Sequence, residues 1–235
     1  MFMLLPYEVD VPMRCWPWMN WVIIAITIAL YPLCCWDGQF TPLGMSMVLG
    51  AGEFGWVGHV LVHADLEHLL GNMWFLWLFG NAVCAKVGNL VYPLIYLMLG
   101  LTSGLVAQAI DPRPAVGASG AINGVVGMFV VWYLLNNITC WYWFGLTLYG
   151  ADSGEFSISS FWMVLLWAAF DIWGLRSDSN VGHIAHLAGF VTGVTLAVVL
   201  LKLRWIEMER GERSLLQVIF GDQRGAEPSD GAESR

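Results

Sequence analysis

Pro114-Ala115-Val116-Gly117-Ala118-Ser119-Gly120-Ala121-Ile122-Asn123-Gly124-Val125-Val126-Gly127 is a glycine-rich turn that carries one serine and opens a strongly apolar segment. Gly117, Gly120, Gly124 and Gly127 recur at spacings of three and four, so they line one helical face and admit a close neighbouring helix. Ser119 stands at the mouth of that helix, where unpaired backbone N–H groups and the positive dipole end favour a developing oxyanion. Taken alone, a G-x-S-G tetrapeptide is most simply a tightly packed membrane helix capped by its serine. The other polar residues of the chain change that reading.

Of the 235 residues, 58% are apolar and only 12% are charged, and the mean hydropathy is +0.65. Soluble domains carry about a quarter charged residues, so the composition is that of a membrane protein. The net charge of −8 argues against nucleic acid as a partner. Cys15, Cys34, Cys35, Cys84 and Cys140 are odd in number, lie in or beside apolar segments and have no metal-ligand spacing. They read as buried small hydrophobes, not as a disulfide framework or a metal site. The 14 tryptophans fit interfacial belts and bulky lipid-facing surfaces. Glu8 and Asp10 precede the first apolar run and no small-residue cleavage site follows, so no signal peptide is expected.

Six segments are apolar enough to span a bilayer, near 18–36, 65–84, 89–110, 118–137, 159–175 and 181–203. A span needs about 20 residues, so the fifth is short. With the N-terminus in the cytoplasm, that side receives Arg14, Lys86, Lys202, Arg204, Arg210, Arg213, Arg224 and Arg235, and the other side only Arg113 and Arg176. The positive-inside rule then puts both termini in the cytoplasm. The expected architecture is an all-α membrane protein with six transmembrane helices. A cytoplasmic N-terminal segment (1–17) precedes the six-helix domain (18–205), and a polar, partly disordered tail (206–235) follows it, with 212–220 able to form a short amphipathic helix. The 37–64 connection, rich in Gly and aromatic residues, reads as a structured surface loop. In 138–158, strand-type residues flank Ala151-Asp152-Ser153-Gly154, which predicts a cytoplasmic hairpin turning there. That side of the membrane also disposes of the sequon at Asn137-Ile138-Thr139 as a glycosylation site.

Polar residues inside such helices carry the chemistry. Asp65 is suited to cap the second span, placing His68 in its first turn and Asn72 one turn deeper on the same side. Ser119 opens the fourth span; His183 and His186 lie in the first turns of the sixth. Spans two, four and six all begin on the external side, so His68, Asn72, Ser119 and His186 share one depth, within roughly 10 Å of the outer surface at about 1.5 Å per residue. Polar groups in membrane helices are costly and point to function by default. A serine needs a base, usually histidine, and His68 and Asn72 can donate hydrogen bonds to the oxyanion of acyl transfer.

The set resembles the rhomboid family of intramembrane serine proteases. The matching residues are His63-x4-His68-x3-Asn72 in the second span, Gly117-Ala118-Ser119-Gly120 at the fourth, and Ala185-His186-Leu187-Ala188-Gly189 with Gly193 in the sixth. They cover the membrane core, about 15–205. The resemblance implies Ser119 as nucleophile and His186 as general base of a dyad, with His68, Asn72 and the Ser119 backbone N–H as oxyanion hole. It also implies that Gly189 lets the sixth helix approach the fourth. His183 is expected as a neighbour that orients the site, Gly117, Gly120 and Asn123 as supporting residues, and His59 and His63 as structural hydrogen-bonding groups. No metal and no cofactor are implied. The partners implied are single- or multi-pass membrane-protein substrates within a lipid bilayer. The short termini point to a bacterial inner (plasma) membrane protein whose site opens externally. A catalytically silent relative that binds membrane clients is the alternative, although such proteins usually lose the serine or the histidine. Two departures stand out: Glu53-Phe54-Gly55-Trp56-Val57 lacks the loop arginine many members carry, and Asn123 replaces an often aromatic residue four after the nucleophile.

Overall fold

The structure is a computed structural model and describes residues 2–146, 150–176, 182–209 and 212–221. Its apolar runs fold as helices: α1 (Trp18–Cys34), the short α2 (Pro42–Ser46) and α3 (Gly55–Gly58), a 3-10 turn (His59–Leu61), α4 (Leu66–Phe75), a π turn (Leu76–Gly80), α5 (Asn81–Val87), α6 (Tyr92–Ile110), α7 (Ser119–Tyr133), α8 (Ser160–Gly174), α9 (His183–Lys202) and α10 (Leu215–Phe220). α4, the π turn and α5 follow one another directly, so the described residues contain six long helical rods at the six segments marked by hydropathy. The Asp65 carboxylate accepts from the His68 backbone N–H at 2.7 Å, capping α4 as its position predicts. Only α6 and α9, with 19 and 20 residues, are by themselves long and apolar enough for a span.

α7 is the axis of the molecule. It has 15 residues, about 22 Å at 1.5 Å per residue, less than the roughly 30 Å of a hydrocarbon core. Protein covers it instead of lipid: apart from Ser119 and Asn123 every residue of the helix is buried. α9 crosses it backbone to backbone. A Cβ on Gly189 would overlap the carbonyl oxygen of Gly120, one on Gly193 that of Gly124, and one on Gly127 that of Phe190. Gly127 of α7 with Gly189 and Gly193 of α9 thus make the α7–α9 seam. A Cβ on Gly120 or Gly124 would first meet Ser103 or Leu99 of α6, and Gly117 lies in the turn before α7, so the four glycines do not share the single face that their spacing predicts. Around them Leu76, Phe79, Leu99, Val125, Phe129 and Trp132 build a continuous core. α8 presents a different picture, with Trp162, Phe170 and Trp173 largely exposed on its outer side.

A sheet of three strands, ordered β1-β4-β5, stands beside the helices. Its members are β1 (Phe2–Val9), β4 (Asn137–Leu146) and β5 (Gly150–Ser159); β2 (Cys35–Trp36) and β3 (Gln39–Phe40) form a separate two-stranded ladder. The hairpin is antiparallel as expected, but its predicted turn is misplaced. Asp152 pairs with Phe144, Ser153 with Trp143 and Gly154 with Tyr142, so 151–154 is strand. Ten aligned pairs from Asn137↔Ser159 to Leu146↔Gly150 outweigh the local turn preference of Asp, Ser and Gly. β1 was not foreseen. It pairs antiparallel with β4, from Phe2↔Phe144 to Val9↔Ile138, and Trp74 Nε1 donates to the Pro6 carbonyl at 2.8 Å, fastening the strand to α4.

Beside the end of α7 and the start of β4, the N- and C-terminal segments meet. Arg14 Nε lies 2.7 Å from Glu209 Oε1, and Lys86 Nζ lies 2.5 Å from Glu212 Oε2. α10 begins with a capping box made by Ser214 and Gln217. Residues 222–235, expected to be disordered, lie outside the described residues, as do Arg210, Arg224 and Arg235 of the charge count.

Candidate active site

The site grows from the turn before α7. Gly117 has φ +115°, a conformation that only glycine adopts without strain. A Cβ there would also sit 2.6 Å from His68 Cε1, so a side chain would displace the imidazole. The Gly117 N–H donates to the His59 carbonyl at 2.8 Å, while His59 Nδ1 donates to the Gly55 carbonyl at 2.8 Å. His59 thus ties the surface loop to the mouth of α7. His63, fully buried in the same loop, receives the Ala118 N–H on Nε2 at 3.5 Å and packs edge-on against His68, with ring centroids 5.1 Å apart. Burial lowers its pKa to about 4, keeping it a neutral acceptor. Both histidines are structural hydrogen-bonding groups, as expected.

Ser119 is the first residue of α7 and is half-buried. Among the described residues, the backbone N–H groups of Ser119, Gly120 and Ala121 have no backbone acceptor, and the helix has no side-chain cap. These donors are left facing whatever occupies the site. Asn72 adds another. It is 8% exposed, and its Nδ2 is buried without a hydrogen-bond partner. That nitrogen lies 3.7 Å from the position a Gly117 Cβ would take, beside His68 and the mouth of α7. A buried amide donor without an acceptor costs about 1–3 kcal/mol, and such groups in folded proteins have a reason.

His68, Asn72, Ser119, Asn123 and His186 all line one cavity of about 320 Å³, walled by Phe75, Trp167 and Phe170. The structure therefore brings together the four residues that the sequence put at one depth. Among the described residues no hydrogen bond joins Ser119 to His186. Asn123 does not reach the imidazole either: its Nδ2 donates to the Ser119 carbonyl at 3.0 Å, one turn back along α7.

His186 is held from another side. Its Nδ1 donates to Asp171 Oδ1 at 2.9 Å, and His183 Nδ1 donates to the same oxygen at 2.8 Å. All three side chains are 14–16% exposed. Their donor atoms lie within 4.8 Å of one another, a spacing that could hold a metal ion. Here both imidazoles spend Nδ1 on the carboxylate. Sequence reasoning missed Asp171, although its signal was present. It is the one ionisable side chain in α8, and such a residue in an apolar helix marks function.

Helical rods with exposed aromatic flanks around a polar cavity define the class, a multi-pass helical membrane protein with a site sunk between its helices. Comparison with known proteins gives the family. Residues 52–203 match the Rhomboid domain, and the chain belongs to the rhomboid family. It is 35% identical over 153 residues to Rhomboid-like protein 11, chloroplastic, of Arabidopsis thaliana, covering 63% of this chain and 52% of that one. It is 30% identical over 129 residues to Rhomboid protease GluP of Bacillus subtilis, 51% of this chain and 25% of that protein. Against Rhomboid protease GlpG of Klebsiella pneumoniae the identity is 26% over 189 residues, 77% of this chain and 62% of the relative. The chain thus spans about half the length of the Arabidopsis relative and a quarter of GluP. Membership makes it an integral membrane protein. Relatives come from bacteria and from a plant, the latter carrying a chloroplast name.

Proposed function

We propose that the chain is a serine endopeptidase that cuts peptide bonds in or near transmembrane segments of membrane-protein substrates, with Ser119 as nucleophile and His186 as general base. The observation that carries this reading is the donor set around the cavity. Asn72 Nδ2 and the free N–H groups at the mouth of α7 lack acceptors beside the one half-buried serine that faces a histidine across the same space. An oxyanion at that point satisfies them all.

In the reaction, Ser119 Oγ attacks the scissile carbonyl carbon and its proton passes to His186 Nε2. The carbonyl oxygen becomes the oxyanion, held by His68, Asn72 and the Ser119 N–H. Collapse breaks the C–N bond, and the amine leaves with the proton from His186. Water, deprotonated by the same nitrogen, then attacks the acyl-serine; collapse breaks the ester C–Oγ bond, Ser119 Oγ takes back the proton from His186 Nε2, and the carboxylic acid product leaves. Catalytic contacts in unliganded sites are often long and tighten when substrate is bound. Neither metal nor cofactor enters this route.

The six rods are six spans in this reading, with both termini cytoplasmic and the cavity near the outer surface of a bacterial inner membrane. The scissile segment must leave the helical state, because helical carbonyls are already hydrogen-bonded. Phe75 on α4 with Trp167 and Phe170 on α8 supply an apolar wall for such a segment.

Reconstituted in liposomes, the protein should cut a labelled single-span substrate and react with a fluorophosphonate probe. Ser119→Ala should abolish both while leaving the helical content unchanged. Cutting that survives in this variant would overturn the assignment; a probe-silent wild type that binds its client uncut would establish the silent alternative.

A further inference from the structure

Asp171 accepts from Nδ1 of His186 at 2.9 Å, and its placement admits a specific role. α8 is otherwise apolar from Ser160 to Gly174. A carboxylate there persists only if its charge is met, and two Nδ1–H donors at 2.8 and 2.9 Å meet it. Among the described residues, Asp171 is the only hydrogen-bonding partner of the His186 side chain. Asn123, the other polar group close by, is committed to the Ser119 carbonyl. Gly174 completes the arrangement: a Cβ there would overlap the His183 ring, so its absence lets α9 bring His183 against α8 and onto Asp171.

We propose that Asp171 is a positioning residue, which fixes His186 in the Nδ1–H tautomer and leaves Nε2 unprotonated toward Ser119. His183 acts through Asp171, occupying the second lobe of the same oxygen and limiting the carboxylate's rotation. The site then works as Ser119–His186–Asp171, with the carboxylate orienting the base and stabilising the imidazolium when it takes the serine proton. This rests on the proteolytic reading above, with Ser119 and His186 in the roles given there. It differs from a purely structural α8–α9 contact, which would hold the helices together without selecting a tautomer.

The test is a graded series, Asp171→Leu, Asp171→Asn and Asp171→Glu, in full-length protein reconstituted in liposomes. Leu removes the acceptor, Asn keeps an acceptor without charge, and Glu restores charge on a longer arm. The expected result is a kcat loss of at least about a hundredfold for Leu, a smaller loss for Asn, and partial recovery for Glu. KM should stay within about threefold throughout, because the loss falls on the base and not on substrate binding. Leu or Asn variants that fold and keep kcat within threefold of wild type overturn the proposal while the protease reading stands. Nitrogen NMR on histidine-labelled wild-type protein decides independently of activity and of how the variants fold. His186, assigned by its loss in His186→Gln, should show a protonated Nδ1 and a bare Nε2. The opposite tautomer overturns the proposal. A wild type with the Nδ1–H tautomer and no proteolysis would refute the protease reading and leave the positioning of His186 intact.

Discussion

Asn72 places an amide donor where the fold gives it nothing to bind. That cost is borne in the resting protein and recovered only when a charged oxygen arrives. Asn72→Ala should therefore lower kcat by about 10²–10³-fold, the usual loss for one oxyanion donor. Thermal unfolding should show the variant at least as stable as wild type, because an unsatisfied buried group has been removed. A destabilised variant with ordinary kcat would make Asn72 structural. The residues of the cavity were legible beforehand because a bilayer makes each polar side chain within it conspicuous. Ser119, His68, Asn72 and His186 could be placed at one depth by counting along their helices. Their bonds could not be read that way. Which atom Asn123 donates to, and that one oxygen of Asp171 serves two imidazoles, depend on rotations about χ angles and on the neighbouring helix. His183 and His186, three residues apart, also present similar faces to a sequence reader. The shared carboxylate shows them in linked positions, and side-by-side kcat values for His183→Ala and His186→Ala should show the larger loss at His186.

Among the elements, the α7–α9 pair has the least tolerance. Gly193 faces the carbonyl oxygen of Gly124 with no room for a methyl group. Backbone cannot yield as a flexible side chain can, so Gly193→Ala should cost about 3 kcal/mol or more, the upper end for overpacking. The readout is a lowered unfolding midpoint in detergent, accompanied by lost activity as the two helices separate. Gly71, which has nothing within 4 Å of an added Cβ, is the control: Gly71→Ala should leave the midpoint unchanged or raise it through helix propensity. Close helix packing was legible in the sequence from its small residues, but which neighbour each glycine meets was not: Gly120 and Gly124 face α6 and Gly127 faces α9. The sheet was read less well. β4 and β5 were anticipated from their composition, but their register was not, since ten cross-strand pairs settle it jointly and no single tetrapeptide does. β1 escaped altogether: an eight-residue apolar strand announces itself only through the edge it joins.

For the molecule as a whole, the ends of the chain are tied to the helices by charges that lie inside. The Lys86 and Glu212 side chains are 1% and 6% exposed, and the ammonium also sits 5.3 Å from the centre of the Tyr133 ring. Lys86→Met leaves the buried Glu212 carboxylate without a countercharge and should cost about 3–5 kcal/mol, whereas Lys86→Met combined with Glu212→Leu should recover most of that loss. Thermal unfolding of the two single variants and the double variant measures the coupling; purely additive losses would show that the ions do not act as a pair. Hydropathy drew the chain as six rods and a polar tail, and it could not show that Glu209 and Glu212 fasten that tail to Arg14 and Lys86. Contacts between residues some 125 to 195 positions apart leave no local trace. The way the rods are joined also governs how the molecule can open. Ser119 and His186 ride on two helices locked spine to spine, so prising those two apart would tear the centre of the protein. α8 is joined to α9 through side chains, Asp171 with His183 and His186, and exposes bulky rings. Asp171 sits on α8 and His186 on α9, so any outward displacement of α8 would also take away the imidazole's carboxylate partner.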